Sequence, residues 1–279
     1  MLVDACKSVA EANDLIALLE RLYVLTSSFV MHKKWCDAQK ELYPDEPVRQ
    51  LQRLSDTRWA CRVVACRNVR DRLDALIVTL EDAAEGGHSD RSVEAIGLLS
   101  QINFNFVLFL HLFCDLLGKI HSVSTQLQSS TLDLSAAVVL LKNLIDCLKE
   151  CRQSDSFVDC LYCSAEAICR KCNIEPKPAQ RRVRKLPSRL SQSVPTEPVG
   201  HRTEMSNAAA FRQHCYLPII DCVIAELEAR FSDSSSTVMI GIQALTPKHS
   251  SFLDHENIAA FAQLYSSNIE DIIVMKCIS

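Results

Sequence analysis

Glycine is scarce in this sequence: only 6 of the 279 residues, about 2%, against an average near 7%. Glycine supplies the positive-φ positions of phosphate-binding loops and tight hairpins, so its scarcity argues against glycine-rich nucleotide sites and turn-dense β-sandwiches or barrels. The motifs agree, because the sequence contains no Walker loop, GxGxxG, HExxH or serine-centred nucleophile elbow. Low glycine with 48% apolar residues favours an all-α fold with a sizeable core.

A secretion signal is also lacking. The opening MLVDACKSVAEAND is an amphipathic helical pattern that carries Asp4, Lys7 and Glu11, not a basic–apolar–small signal pattern. The 14 cysteines therefore do not indicate a disulfide framework, and many fall at apolar helical positions, where a free thiol packs as a small hydrophobic side chain. We predict a reduced protein that is nuclear or cytoplasmic and not secreted.

The longest uncharged run covers residues 95–114 and has the length of a membrane span. It also holds five polar side chains, which is unusual for a helix that faces lipid: Ser100, Gln101, Asn103, Asn105 and His111. We therefore interpret the run as the central buried helix of a bundle, and we expect no membrane partner.

Helical periodicity and composition divide the chain into three segments. Residues 1–175 are predicted to form a helical bundle, and residues 205–279 are predicted to form C-terminal helices that pack on it. Between them, 176–204 is predicted to be a basic, flexible loop, because its stretch 176–202 holds five of the nine prolines and seven Lys and Arg against one Glu. The predicted architecture is an all-α bundle of roughly eight to ten helices.

The individual helices are predicted from apolar spacing, caps and breakers. In the first segment they cover 3–23, 29–42, 57–85, 90–127, 133–151 and 154–173. In the C-terminal segment they cover 206–231, with Pro218 as a kink or break, then 237–244 after a turn at 232–237, and 255–266.

Four cysteines form the pattern C-x2-C-x5-C-x2-C: Cys160, Cys163, Cys169 and Cys172. Two CxxC pairs resemble a zinc site, but structural zinc sites usually separate the pairs by a longer loop. On one helix these thiols also point in different directions. We predict helical packing with no metal and no cofactor, and a zinc site is the alternative.

A cationic stretch surrounds Trp59. Six arginines crowd around it: Arg53, Arg58, Arg62, Arg67, Arg70 and Arg72. Cations around one aromatic ring are typical of contacts to a nucleic-acid backbone and a stacked base, while the alternative is a solvated helix face with a packed Trp. The basic loop offers further cations that would bind nucleic acid, act in nuclear import or only solubilise: Arg181, Arg182, Arg184 and Lys185.

Several strings, taken together, resemble the hAT-superfamily transposase-derived proteins, in particular the zinc finger MYM-type protein 1-like branch. The resemblance spans nearly the whole chain, and the Asp-Thr-Arg-Trp string at 56–59 is its most specific piece. The strings are MLVDACKSV at the start, HKKWCDAQKELYP at 32–44, LQRLSDTRWACR at 51–62, FRQHCYLPIIDCVIAELEARFS at 211–232, GIQALTPKHSSFL at 241–253 and NIEDII near the end.

The resemblance implies an RNase H-like catalytic core that is interrupted by a helical insertion domain with an Arg-Trp pair. Arg58 and Trp59 match that pair, whose Trp can stack on a flipped base. The family's two catalytic aspartates and its Cys-x-x-His motif would lie before Leu2, and its glutamate and dimerisation segment beyond Ser279. The chain therefore resembles an isolated insertion domain, and none of the three catalytic carboxylates carries over.

The leading hypothesis is a non-catalytic, transposase-derived helical domain that binds DNA or protein in the nucleus. The candidate nucleic-acid contacts are Arg58, Trp59, Arg62 and the four basic residues of the loop. One alternative is a subunit of a DNA transposase whose carboxylates come from other segments. Another is a protein-interaction bundle without a nucleic-acid role.

Overall fold

The computed structural model describes residues 9–54, 59–85, 89–129, 134–177, 207–231, 233–245, 247 and 251–264. Within these ranges the chain forms helices and no strand, so the all-α prediction is confirmed. The helices are α1 (Ala10–Thr26), α2 (Phe29–Leu42), α3 (Trp59–Asp71), α4 (Leu73–Ala84), α5 (Asp90–Leu99), α6 (Phe104–Leu127), α7 (Leu134–Gln153), α8 (Asp155–Lys171), α9 (Ala208–Phe211), a π-helical turn (Arg212–Tyr216), α10 (Leu217–Arg230), α11 (Asp233–Ala244) and α12 (255–264).

The chain divides into two compact units. The larger unit comprises 2–121 and 154–220, and the smaller comprises 122–153 and 221–279. The predicted basic loop at 176–204 lies almost entirely outside the described residues. The three-segment organisation therefore stays a prediction.

Helix α6 supplies much of the core of the larger unit. Twelve of its side chains are buried, among them Phe104, Phe109 and Phe113. By length and composition α6 is the single described helix that could cross a membrane. Helices α1 and α2, which are bent by 101° relative to each other, meet the same criterion of length and composition only when they are counted as one broken span. In this fold 61% of the apolar window of α6 is buried, so the part of the run that lies in α6 is buried as predicted, but the run 95–114 as a whole is not one helix.

The other helices of the larger unit pack through apolar stripes. The buried leucines of α1 recur at intervals of three and four residues, which places Leu15, Leu18 and Leu22 on one face. Helix α1 packs against α2 and α5, and α4 packs against α2, α3 and α5. The boundaries of α2 agree with the predicted 29–42, since Tyr43 precedes Pro44 and the residue before a proline avoids helical geometry.

The predicted single helix over 57–85 is wrong, because the helix is interrupted at Arg72. This residue has φ −130° and ψ 29°, outside the helical region, and it separates α3 from α4. Its side chain is 3% exposed and its Nη2 lies 2.6 Å from a carboxylate oxygen of Glu46. Burial and this long-range ion pair override a locally helical sequence.

The predicted continuous helix over 90–127 is also wrong, because 100–103 separates α5 from α6. Gln101 donates its side-chain amide to the Gly97 carbonyl at 2.6 Å, which satisfies an exposed acceptor at the end of α5. Asn103 then caps α6, since its Oδ1 accepts from the Phe106 amide at 3.1 Å. Asn103 is the sequence signal for this break.

The C-terminal helices follow the predictions at Pro218 but not at 232–237. The α-helix changes to a π-helical turn at Arg212–Tyr216, just before Pro218. Proline has no backbone N–H, so Pro218 cannot donate the hydrogen bond to the carbonyl four residues earlier that a regular α-helix requires. The predicted turn at 232–237 is wrong, because α11 begins at Asp233. No glycine or proline lies between 219 and 240, and the serines there are helix-tolerant.

The smaller unit combines helices from two distant parts of the chain. Helix α7 packs against α11 and buries Leu141, Leu144 and Leu148. Arg152 forms an ion pair with Asp221, and Lys149 Nζ lies 2.7 Å from Glu228 Oε1. All four of these side chains are close to half exposed, so burial of the leucines contributes more to stability than the ion pairs.

Candidate functional site

The predicted nucleic-acid contacts lie at the start of α3 and in the basic loop. Trp59 is the first residue of α3. Arg58 and the four basic loop residues lie outside the described residues. Arg62 belongs to the first turns of α3 and is only 6% exposed, so it has little surface to offer a phosphate.

The other arginines of this stretch divide into internal and exposed ones. Arg72 is buried against Glu46, and Arg70 Nε lies 2.8 Å from Asp71 Oδ1. Arg53 is 78% exposed, with its guanidinium 3.8 Å from Glu20, and Arg67 is also exposed. Among the described arginines of this stretch, Arg62, Arg70 and Arg72 are buried or paired inside the fold, and Arg53 and Arg67 present their charge to solvent.

Arg67 lies against α6 at Gly118. A Cβ atom placed on Gly118 would come within 2.9 Å of Arg67 Nη2, closer than ordinary van der Waals contact. A larger residue at 118 would therefore displace the guanidinium. The lack of a side chain at Gly118 leaves room for the Arg67 guanidinium at this place.

Sequence reasoning missed a polar network that joins the end of α2 to α4 and α8. The Tyr43 hydroxyl donates to the Asp74 carboxylate, with both oxygens at 2.6 Å. Lys171 Nζ lies 2.7 Å from Asp74 Oδ2 and 3.4 Å from the Tyr43 hydroxyl oxygen. The Arg72 guanidinium covers the Tyr43 ring, 4.0 Å from its centroid. No sequence pattern relates Tyr43 to Lys171, because they are 128 positions apart.

A second ion-pair group adjoins this network. Arg49 Nη1 lies 2.5 Å from Asp71 Oδ2, and Arg70 binds the other carboxylate oxygen. Burial raises the pKa of Asp71, but hydrogen bonds and charge from Arg70 and Arg49 outweigh burial and lower the pKa overall. Asp71 therefore stays ionised and holds two arginines together.

A half-open cavity of about 150 Å³ lies beside both groups. It is lined by Tyr43, Arg70, Asp71, Leu73, Asp74, His111, Ile168, Lys171 and Cys172. Its two carboxylates are balanced by two cations, and His111 Nδ1 donates to the Val107 carbonyl at 2.9 Å. Burial and the nearby Arg70 lower the pKa of His111 despite this bond, so the ring is neutral at pH 7. The lining has no excess charge to recruit an ionic ligand.

We expect the network to make the fold acid-sensitive through Asp74. Burial raises the pKa of Asp74, but hydrogen bonds from Lys171, Tyr43 and the Ala75 amide lower it overall from 3.8. A lowered folded-state pKa stabilises the fold above the unfolded pKa, and the stabilisation disappears as the pH falls through the folded pKa. Denaturant unfolding at pH 7 and at pH 3 should therefore show a smaller acid-induced loss of stability for Asp74→Asn than for the natural chain.

The matched control for this prediction is Asp159→Asn, which changes an exposed carboxylate on α8. It should keep the acid-induced loss of the natural chain. An Asp74→Asn protein with an unchanged pH dependence would contradict the role given to Asp74.

The cysteine-rich segment is helical, as predicted. Ser154 caps α8 by accepting from the Phe157 amide at 3.3 Å. Cys160 and Cys163 are exposed, whereas Cys169 is buried, which raises the pKa of its thiol to about 12. Within the described ranges no group of three or more His, Cys, Asp or Glu side chains is arranged to hold a metal ion.

Comparison with protein-family models, with curated proteins and with solved structures finds no match for this chain. The proposals on function therefore rest on the sequence strings and on the geometry described above.

Proposed function

We propose that this chain is a non-catalytic helical domain derived from a hAT transposase and that it binds DNA in the nucleus. The observation that carries the proposal is the Asp-Thr-Arg-Trp string at 56–59 within a chain of resembling strings. The all-α fold is compatible with an insertion domain that is helical in the resembled family. The residues of this sequence that match the family's motifs include its Arg-Trp pair, so the activity that we propose for them is binding.

The exposed cations indicate how such binding would work. Arg53 and Arg67 flank Trp59 in sequence and are solvent-accessible, and the stretch 176–202 adds seven Lys and Arg against one Glu. Contacts of these cations with phosphates would release counterions and would make affinity fall steeply with salt. Trp59 would add stacking on an unpaired base, which favours DNA with a single-stranded or distorted end.

We expect the full chain to bind a DNA duplex with a single-stranded end at low salt, with an affinity that decreases linearly on a log–log plot against salt. Arg67→Ala should reduce the magnitude of the salt slope by about 1, because it removes one phosphate contact. The Arg58→Ala/Trp59→Ala double variant should weaken binding about tenfold or more, because base stacking contributes about 1–3 kcal/mol. Fluorescence anisotropy at several salt concentrations measures both effects.

Arg91→Ala is the control, since Arg91 is an exposed arginine on α5, outside the cationic stretch. It should leave affinity and slope unchanged. Absence of DNA binding at low salt, or unchanged binding by the Arg58/Trp59 variant, would overturn the DNA proposal. Protein partners that survive nuclease treatment in a pull-down would then favour the protein-interaction role. Strand transfer with magnesium or manganese would favour the transposase-subunit role, and we expect none.

A further inference from the structure

We propose that the half-open cavity beside Tyr43 binds a neutral single-ring lactam, a ring that presents an N–H group next to a C=O group, as uracil does. The cavity lies within the larger unit, where the end of α2, the junction of α3 and α4, helix α6 and the end of α8 meet. Each of these elements contributes at least one polar side chain to the lining. The unused hydrogen-bonding groups, the charge and the size of the cavity together define the class of ligand.

His111 supplies a hydrogen-bond acceptor that the fold does not use. Its Nδ1 lies 2.9 Å from the Val107 carbonyl oxygen, which can only accept, so Nδ1 carries the hydrogen and Nε2 of the neutral ring accepts. No described residue donates to Nε2, and Nε2 is not among the buried polar atoms that lack a partner, so it is accessible. A ligand N–H in the cavity would therefore find an unoccupied acceptor at His111.

Arg70 supplies donors on the same lining. Its Nε lies 2.8 Å from Asp71 Oδ1, while its two terminal nitrogens have no partner within the described part of the chain. The charge of Arg70 helps to lower the pKa of His111, as expected for a guanidinium close to the imidazole. The terminal N–H groups of Arg70 suit a carbonyl oxygen. An acceptor with donors nearby matches the N–H and C=O groups of a lactam edge.

The charges of the lining favour a neutral ligand. Asp74 accepts from the Tyr43 hydroxyl and pairs with Lys171, and Asp71 pairs with Arg70. Each charge of the lining therefore already has an opposite charge beside it. An ionic ligand of either sign would lose hydration without gaining an unpaired counter-charge, whereas a neutral lactam loses less on leaving water.

The size of the cavity fits one six-membered ring. Its volume is about 150 Å³, and an engineered protein cavity of about this volume holds one benzene molecule. Leu73 and Ile168 add aliphatic side chains to the lining, so a ring gains apolar contacts while its edge forms hydrogen bonds. Uracil and thymine combine this size with a lactam edge and no net charge.

A lactam of this kind can reach the cavity as a free base or as an unpaired base of a nucleic acid. The inference does not rest on the proposed DNA role, because the lining includes neither Trp59 nor Arg62 nor Arg67. The Arg58→Ala/Trp59→Ala variant should therefore bind free uracil as the natural chain does. A single-stranded deoxythymidine oligonucleotide distinguishes the two sources, since it perturbs His111 only if a strand can deliver a base to the cavity.

The test is titration of the full chain with uracil, followed by the ¹⁵N resonance of His111 Nε2 and by isothermal titration calorimetry. We expect a saturable shift of this resonance and a millimolar dissociation constant, since the ligand has few atoms. His111→Phe should weaken binding about tenfold, because the ligand N–H then loses its acceptor. His255→Phe, a change at an exposed histidine of α12, should leave the affinity unchanged.

Two isomeric ligands keep the test decisive if His111→Phe does not fold. Both N–H groups are retained in 5,6-dimethyluracil and methylated in 1,3-dimethyluracil, so the first should bind on the order of tenfold more tightly. Orotate, a uracil with an added carboxylate, should bind more weakly than uracil. The proposal is overturned if uracil does not shift the His111 resonance or if the two isomers bind equally. Tighter binding of orotate would overturn the neutral class.

Discussion

Phe109→Ala is expected to lower the free energy of unfolding by about 3–5 kcal/mol, the usual cost of truncating a buried phenylalanine. Phe109 is 1% exposed and lies in the second turn of α6. Its ring meets that of Phe211 edge-on, with the centroids 5.4 Å apart and the planes at 79°. The substitution removes this contact and leaves a cavity in the core of the larger unit. Urea unfolding followed by circular dichroism measures the loss.

The chain offers a matched control of the same chemistry. Phe29 is 86% exposed at the start of α2, so Phe29→Ala should change stability by less than about 0.5 kcal/mol. The loss of stability in Phe109→Leu should lie between those of Phe109→Ala and Phe29→Ala, because leucine retains part of the buried volume. Equal effects of Phe109→Ala and Phe29→Ala would contradict the burial of α6.

Glu46→Ala is expected to cost about 2 kcal/mol, although Glu46 itself is half exposed. The loss arises at its partner, since Arg72 is 3% exposed and its Nε already lacks a hydrogen-bond partner among the described residues. Removing the carboxylate leaves a buried guanidinium with the Asp71 carbonyl, 3.2 Å from Nη1, and the face of the Tyr43 ring. Chemical unfolding at neutral pH gives the difference directly.

Asp45→Ala is the control for this prediction, because it removes an exposed carboxylate one residue away. We expect a change within about 0.5 kcal/mol. If Glu46→Ala is as mild as Asp45→Ala, water reaches Arg72 and the ion pair is not what holds the break between α3 and α4.

Local signals predict the fold wherever a helix ends at a strong local breaker or cap. Pro44 ends the segment that contains α2, and Ser154 begins α8. The predictions were wrong where tertiary contacts or a weak capping residue determine where a helix ends. Arg72 leaves the helical region in a locally helical sequence, and its ion-pair partner is 26 positions away. Asn103 is a capping residue, but it lies inside a long apolar run. The apolar spacing on both sides of Asn103 is helical, and it therefore predicted one continuous helix.

The candidate site was less predictable than the fold. The six arginines around Trp59 look alike in sequence, yet Arg62 and Arg72 are buried while Arg67 is exposed. Helical period alone does not separate them, because the ion-pair partner of Arg72, Glu46, comes from another part of the chain, while Arg70 pairs with its neighbour Asp71.

The interleaved order of the two units has a consequence for folding. The larger unit encloses 122–153 within its own sequence, and the smaller unit encloses 154–220. A chain that ends at residue 153 contains only the first part of each unit. During synthesis, neither hydrophobic core could therefore form completely until the segments after residue 153 had been made. Contacts between such distant segments raise the contact order, which slows folding. We therefore expect this helical protein to fold more slowly than a bundle of consecutive helices.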